Sequence, residues 1–278
     1  MNELPEIETL RRDLEREVIG RKIKETDVSV PSVVSRSGNR TKFGTALDGQ
    51  KIISIERRAL TLLFNLDNEH VLVAKMAGNA MFRRNANKDA QENGTTAIIA
   101  FTQGGQMRLV DPSGQAEMFV VPSEDFDEHV PELAELGLDP VTSPISWTAF
   151  GHMLMAQSTK LKTLLRDDAF MVGVGSIYSD EILFQAGLRY DRKSNDLSSQ
   201  EIRRLYRAVV EVMHDAIKYR GTSLEGGTYV DVFGQPGIYQ DHLSVYGKHG
   251  QLSPRSRRPI VRTKFAKEWT YFCDQSQV

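Results

Sequence analysis

The sequence predicts an α+β protein in which an N-terminal helix and an antiparallel β-sandwich precede a helical domain. Three observations predict this class. A helical pattern runs from Glu6 to Val18 and ends at Gly20, and short β-branched or alternating runs then continue to about Val121. Beyond that point the pattern becomes helical. Segregated strands and helices are typical of α+β folds, and short strands separated by turns are typical of antiparallel sheets.

The first half of the chain carries the strand patterns. They are bounded by turn signals such as Asp48-Gly49 and Gln103-Gly104-Gly105. An acidic stretch from Glu124 to Glu135 follows them and predicts a linker. The predicted strands are Lys51 to Ile55, Thr61 to Leu66, Val71 to Lys75, Thr96 to Phe101 and Met107 to Val110.

The second half carries the helical patterns. Ser198 and Glu201 give an N-cap signal for the last helix. A glycine-rich loop spans 221–227, and turns with short strands run from Tyr239 to Cys273. The predicted helices are Ser146 to Ala156, Lys160 to Leu165, Gly175 to Gln185 and Ser199 to Arg220.

Length, composition and charge limit the classes of protein. The 278 residues suffice for two domains with separate cores, and the single cysteine excludes an internal disulfide. No apolar run approaches the roughly 18 residues of a membrane span, so we expect a cytoplasmic protein. The net charge of -2 argues mildly against nucleic-acid binding. Between Lys248 and Lys267, however, seven residues are basic and none is acidic, which predicts a local basic surface.

Three segments of the chain form recognisable motifs. They are the opening run Met1 to Arg12, the segment Val172-Gly173-Val174-Gly175-Ser176-Ile177-Tyr178-Ser179-Asp180-Glu181, and the tail from Val245 to Cys273. Together they resemble the Fpg/Nei DNA glycosylases. The second is similar to the family's helix-two-turn-helix signature and the third to its zinc finger. The resemblance implies a catalytic-like sandwich domain at 1–121, an acidic linker at 122–137, a helix-two-turn-helix domain at 138–238 and a finger at 239–278. It also implies a monomer.

The resemblance assigns the chemistry of the first helix. Its second residue is a proline in the family, and the α-amine of that proline attacks the sugar C1′. Here the position is Asn2, whose carboxamide is not nucleophilic, so a retained Met1 would carry the amine about 3.8 Å away. The family's second catalytic amine, a lysine, is replaced by Leu60. Glu3 keeps the position of the acid that protonates the opened sugar, and Glu6 keeps a supporting carboxylate. Both glutamates also suit a helix N-terminus.

The resemblance also assigns DNA contacts. Ser176 stands where the family has a phosphate-binding asparagine, and Glu268 stands where it has a phosphate-clamping arginine. Met76 keeps one residue that fills the gap left by a flipped base, whereas the family's second wedge is replaced at 113–116. Lys162 and Tyr246 match phosphate contacts, and either is equally typical of an ordinary surface residue.

The family's four zinc-binding cysteines correspond to one thiol and three hydroxyls. The matching positions are Ser253, Ser256, Cys273 and Ser276. Structural Zn²⁺ needs a closed set of thiolate or imidazole ligands. We therefore predict a finger without zinc, no metal and no cofactor, with Cys273 as a packed residue.

These replacements lead to three hypotheses about function. The first is a catalytically inactive Fpg/Nei homologue that retains weak or lesion-directed binding to double-stranded DNA, or binds a protein partner. The second is a monofunctional glycosylase in which Glu3 or Glu6 activates water, without AP-lyase activity. The third is a protein-interaction module that does not bind DNA and presents the 113–116 loop and Trp269. No membrane partner is expected.

Overall fold

The computed structural model describes residues 2–143, 145–227 and 229–278. Contacts between residues divide the chain into two compact units. Unit 1 comprises Met1–Ala134 and Arg220–Ile238, and unit 2 comprises Glu135–Tyr219 and Tyr239–Val278. No helix among the described residues is long and apolar enough to cross a membrane.

Unit 1 is an antiparallel β-sandwich, as predicted. Its strands are β1 (Ile23–Val28), β2 (Ile52–Arg58), β3 (Thr61–Leu66), β4 (His70–Lys75), β5 (Met81–Asn85), β6 (Thr95–Phe101), β7 (Gln106–Val110) and β8 (Glu117–Pro122). One sheet has the order β1-β6-β7-β5 and the other β2-β3-β4-β8. Apolar side chains of both sheets form one core, in which the Phe64 and Phe82 rings meet edge to face at 5.6 Å.

Helix α1 (Leu4–Val18) opens unit 1 and packs on this core. Its apolar residues Ile7, Leu10, Leu14 and Val18 recur every three or four positions and are fully buried. Each fully buried side chain of this size contributes about 1.5–3 kcal/mol, so packing rather than helix propensity fixes the helix. The other helices of unit 1 are α2 (Arg40–Leu47) and α3 (Phe126–His129).

Unit 2 contains the predicted helices and a β-hairpin. The helices are α4 (Trp147–Met155), α5 (Leu161–Leu165), α6 (Ser176–Ala186) and α7 (Ser199–Lys218). The predicted N-cap of α7 is confirmed, because Ser198 and Glu201 form a capping box. The hairpin consists of β9 (Val261–Phe265) and β10 (Glu268–Phe272), which pair in antiparallel register. Its two turn residues, Ala266 and Lys267, are left-handed, as a tight hairpin requires.

The two units differ from the predicted domain ranges at 220–238. The family resemblance implied that this segment belongs to the helix-two-turn-helix domain, whereas its contacts group it with the sandwich. Arg220 explains the difference, since its guanidinium pairs with Asp13 on α1 and with Asp231 in the same segment, both at 2.5 Å. The two carboxylates are buried, so this ion-pair cluster fastens the segment to unit 1.

Candidate active site

Asn2 lies just before the N-cap of helix α1. This residue is buried, and its backbone N–H donates to the Gly78 carbonyl with an N–O distance of 3.0 Å. Its carboxamide Nδ2 donates to the Ala80 carbonyl. The side chain that replaces the family's proline is therefore held by the chain just before β5. Met1, the predicted carrier of the amine, lies outside the described residues.

Glu3 and Glu6 form a buried pair of carboxylates at the same helix start. Glu3 is the N-cap of α1 and forms a capping box with Glu6. Glu6 Oε2 accepts the Glu3 backbone N–H at 3.0 Å, and Glu6 Oε1 accepts the Thr222 N–H at 2.8 Å. The predicted helix-capping role is thus present. Glu6 also joins α1 to the glycine-rich loop, a contact that the sequence did not predict.

Gly221 makes the contact between the loop and Glu6 possible. Its φ is +81°, in the region that favours glycine. A Cβ at this position would lie 2.8 Å from Glu6 Oε1 and 3.1 Å from the Tyr229 ring. Any side chain here would push the loop away from α1. The loop and the carboxylates therefore form one packed site within unit 1.

Two other predicted site residues of unit 1 lie in or against its core. Leu60 packs against the core, so the site of the family's lysine is apolar here. Its carbonyl accepts the Met76 backbone N–H at 3.0 Å. The Met76 side chain is 1% exposed and belongs to the same core. The structure therefore places Met76 inside unit 1 and not on its surface.

Lys162 is a buried residue of unit 2. Its Nζ lies 2.6 Å from Asp180 Oδ1 on α6 and donates to Thr270 Oγ1 on β10 at 3.0 Å. The side chains of Lys162 and Asp180 are each 1% exposed. Sequence reasoning left this lysine as a phosphate contact or a surface residue, and the structure shows that it is not at the surface. It holds α5, α6 and the hairpin together.

Ser176 and Glu268 meet at the start of helix α6. The Ser176 hydroxyl donates to Glu268 Oε2, and Arg166 Nη2 lies 2.9 Å from the same oxygen. The hydrogen bond from the Ser176 hydroxyl, together with the charge and the hydrogen bond of Arg166, outweighs burial and lowers the pKa of Glu268 below its usual value. The structure thus brings together the two positions that replace the family's phosphate-binding asparagine and arginine. It adds Arg166, which sequence reasoning missed.

Tyr246 is half-buried at the edge of the hairpin. Its backbone N–H donates to Glu181 Oε1 at 2.8 Å, and that carboxylate also accepts from Ser244 and Val245. Its ring lies 5.1 Å from the Tyr271 ring. Tyr246 is therefore fixed to α6 through the buried Glu181, and its ring contacts the hairpin at Tyr271.

The four positions that correspond to zinc ligands converge, but their chemistry does not suit zinc. The Ser256 hydroxyl lies 3.1 Å from Cys273 Sγ, and the Ser276 hydroxyl donates to the same sulfur at 3.5 Å. Burial raises the pKa of Cys273, but hydrogen bonds from Ser256, Ser276 and Ser253 outweigh it and lower the pKa to about 7. One thiol and three hydroxyls do not make a structural zinc set. Within the described ranges, no three His, Cys, Asp or Glu residues cluster as metal ligands.

Two functional contacts had a weak signal in the sequence. Arg166 follows α5 as one of many basic residues, and only its distance from Glu268 distinguishes it. Thr222 contacts Glu6 through its backbone N–H, a group that every residue except proline has, so the residue type could not predict this contact. The adjacent glycines of the loop were the available clue, because they allow a backbone to approach another group closely.

Comparison with known proteins places both units in one family. The formamidopyrimidine-DNA glycosylase N-terminal domain matches residues 1–118, and the H2TH domain of the same glycosylases matches residues 136–226. Formamidopyrimidine-DNA glycosylase of Enterococcus faecalis is 34% identical over 278 residues, covering 100% of this chain and 97% of the relative. The glycosylase of Desulfitobacterium hafniense is 33% identical over the full length of both chains.

Solved structures agree with these matches. The MutM (Fpg) protein of Thermus thermophilus has a TM-score of 0.86 at 33% identity, covering 99% of this chain and 98% of that one. Lactococcus lactis Fpg in complex with DNA containing an abasic site has a TM-score of 0.89 at 27% identity, covering 99% of both chains.

The comparisons contradict the hypothesis of a catalytically inactive homologue. The relatives that match this chain over its whole length are named as glycosylases, and nothing in the matches indicates loss of activity. The hypothesis of a module without DNA binding fails for the same reason. Both hypotheses gave decisive weight to the replaced positions, although the rest of the chain matches the family. The chain belongs to the formamidopyrimidine-DNA glycosylase family.

Proposed function

We propose that this protein is a DNA glycosylase that removes a damaged base from double-stranded DNA. The observation that carries the proposal is the intact carboxylate pair at the start of α1, with Glu3 buried as the N-cap and Glu6 bridging it to Thr222. Breaking an N-glycosidic bond requires proton transfer, and a positioned carboxylate supplies about 10²- to 10⁴-fold of rate. We assign this role to Glu3, which keeps the position of the family's acid, and a supporting role to Glu6, whose two oxygens accept the Glu3 and Thr222 backbone N–H groups.

The nucleophile that we assign is the α-amine of the chain terminus. The side chains at the two amine positions of the family, Asn2 and Leu60, supply no amine. An α-amine has a pKa near 8, so a useful fraction is uncharged at neutral pH. Its lone pair would attack C1′, and the damaged base would leave with the electrons of the N-glycosidic bond and take the proton that the amine loses. The C1′–O4′ bond would then break, O4′ would take a proton from Glu3, and the nitrogen would stay bound to C1′ as a protonated imine. Mass determination of the intact protein will identify the residue that carries the amine.

We propose that the start of α6 takes a DNA phosphate. Ser176 and Arg166 both direct donors at one oxygen, Glu268 Oε2, which has the charge and acceptor character of a phosphate oxygen. The glycine-rich approach to α6 also suits an anion. Relatives solved as complexes with DNA support this assignment. Lys162 then has a structural role, since its ammonium is buried against Asp180.

We also propose that the finger folds without zinc and that the protein is a cytoplasmic monomer. Hydrogen bonds replace the metal in this proposal. Gln277 Oε1 accepts the Cys273 N–H at 2.9 Å, and Gln277 Nε2 donates to the Leu188 carbonyl at 2.8 Å. These contacts tie the end of the hairpin to the chain just after α6.

The test measures base release from duplexes that each carry one lesion, beginning with formamidopyrimidine-guanine and an abasic site. Strand nicking and borohydride trapping are followed on the same samples. We expect release of the damaged base by the wild-type chain, and a loss of at least about a hundredfold in Glu3→Gln. Glu15→Gln is the matched control, because Glu15 lies exposed on the same helix. Binding of every lesion duplex without release of any base would overturn the proposal.

A further inference from the structure

The hairpin of unit 2 has two different faces. Register pairs Trp269 with Lys264 and Tyr271 with Arg262, so these four side chains share one face. We call it the outer hairpin face. The opposite face packs on unit 2, where Thr270 donates to Asp180 and the Phe272 ring lies 5.0 Å from that of Tyr190. The Trp269 end of the outer hairpin face is therefore not the part that holds the hairpin in place.

The outer hairpin face exposes an aromatic ring with two cations close to it. Trp269 is 38% exposed. The Arg262 guanidinium lies 4.3 Å from the Trp269 ring centroid, and Lys264 Nζ lies 4.2 Å from it. Such contacts order the three side chains relative to one another while leaving part of the indole accessible. An exposed tryptophan with ordered cations is a preformed contact surface.

The positive charge of this face is not neutralised. Neither Arg262 nor Lys264 forms an ion pair with any residue that the structure describes. From residue 242 to 273 the sequence has one carboxylate, Glu268, and this group lies on the other face, where Arg166 and Ser176 bind it. Among the described residues, the outer hairpin face therefore lacks an intramolecular anion.

We propose that the outer hairpin face binds single-stranded nucleic acid, with one unpaired base stacked on Trp269 and its flanking phosphates paired with Arg262 and Lys264. A ligand that complements an indole close to two cations must combine a π-face with adjacent negative charge. An unpaired nucleotide has both, whereas the bases of an intact duplex are covered by their neighbours. An acidic peptide would satisfy the cations but leave the ring uncovered. This contact extends the proposed function, since it adds a second nucleic-acid surface to a protein that acts on duplex DNA.

Trp269 itself supplies the first readout. The chain has two tryptophans, and Trp147→Phe leaves Trp269 as the only one. Titration of this full-length variant with oligothymidylate at low salt should quench Trp269 fluorescence in a saturable manner. Its affinity should fall as salt rises, because phosphate contacts release counterions. Unchanged fluorescence up to saturating oligonucleotide would overturn the proposal.

Three variants separate stacking from charge. In the otherwise wild-type chain, followed by anisotropy of a labelled oligonucleotide, Trp269→Leu should weaken binding by about 5- to 150-fold, which is the range for one stacked base. Trp269→Phe keeps a ring and should restore part of the loss. Arg262→Gln combined with Lys264→Gln should reduce the salt slope by about 1.4, as expected for two single-strand phosphates.

A matched control exists in the same unit. Trp147 and Arg203 form another ring–cation pair, with the guanidinium 4.5 Å from the ring. Trp147→Phe and Arg203→Gln should leave single-strand affinity within about twofold. Equal loss in these controls, or equal binding of polyglutamate, would show that the surface is not specific for unpaired bases.

The outcome is independent of the glycosylase assay. Trp269→Leu should still release damaged bases when duplex DNA is saturating, because Glu3 lies in unit 1. If the wild-type chain releases no base, oligothymidylate binding still decides this proposal. Thermal unfolding of each variant checks the fold, and Trp269→Phe keeps the proposal falsifiable if Trp269→Leu does not fold.

Discussion

Helices α1 and α6 both begin beside glutamates, but the glutamates at the two helices are held in different ways. At α1, Glu3 and Glu6 are three residues apart, both are buried, and their partners are backbone groups. At α6, Glu268 comes from a hairpin 92 residues away, its side chain is 46% exposed, and its partners are side chains. Buried local contacts make a fixed frame, whereas an exposed ion pair is easily displaced. We therefore regard the start of α1 as a rigid group of contacts within unit 1 and the start of α6 as an adjustable one within unit 2.

The strongest test of this comparison is Glu6→Gln. One amide oxygen cannot replace the two carboxylate oxygens that accept from Glu3 and Thr222, so one buried N–H would face an NH₂ group. We expect a loss of about 1–3 kcal/mol in the free energy of unfolding, measured by urea denaturation, because a buried donor is left unsatisfied. Base release should fall as well, since the loop over the site is released.

Glu15→Gln is again the control for this stability measurement. Glu15 pairs with Arg11 at the surface of the same helix, and such pairs contribute about 0.2–1 kcal/mol. If Glu6→Gln and Glu15→Gln lower stability equally, the start of α1 is not a rigid frame and the comparison with α6 fails.

A smaller effect, of opposite sign, is expected at α6. Glu268→Gln removes the charge that competes with a phosphate for Arg166 and Ser176, so affinity for duplex DNA should rise by about three- to tenfold at low salt, equivalent to about 0.7–1.4 kcal/mol. Arg166→Gln should lower it. Fluorescence anisotropy over a salt series measures both, and Glu225→Gln is an exposed acidic control.

The double variant with Glu268→Gln and Arg166→Gln tests whether the gain in DNA affinity depends on Arg166. If Arg166 binds phosphate once Glu268 is removed, the gain from Glu268→Gln should disappear when Arg166 is also replaced. Gains that simply add would show that Glu268 acts through general charge, because independent sites are additive. Unchanged affinity in Glu268→Gln would contradict a phosphate site at this position.

The same contrast explains how much the sequence could predict. Contacts between near neighbours were readable: the capping box of Ser198 and Glu201, and the capping character of Glu3 and Glu6, lie within three residues. The strand and helix patterns also predicted the α+β class, because the spacing of apolar residues within one segment indicates whether it forms a helix or a strand.

Contacts between distant residues were not readable. Arg220 pairs with Asp13 across 207 residues, and the 220–238 segment groups with unit 1, whereas the family resemblance implied the helix-two-turn-helix domain. A lysine is usually exposed, but Lys162 is buried against Asp180 and Thr270, which are distant in the sequence. The residues around a charged side chain in the sequence do not indicate which distant residue will pair with it. The pairing of Arg166 with Glu268 could not be predicted for the same reason.

The smallest expected effect concerns Cys273, at the end of the hairpin that carries Glu268. Burial raises the pKa of this thiol, but the hydroxyls of Ser256, Ser276 and Ser253 lower it to about 7, below the roughly 8.5 of an unfolded cysteine. Because the folded pKa is the lower one, the thiolate adds stability that is full above pH 8.5 and is lost as pH falls through 7. Thermal unfolding between pH 6.5 and 9 should show this rise in the wild type and not in Cys273→Ser. EDTA should leave both curves unchanged if hydrogen bonds replace zinc, and a fall in Tm with EDTA would mean that a metal holds the finger.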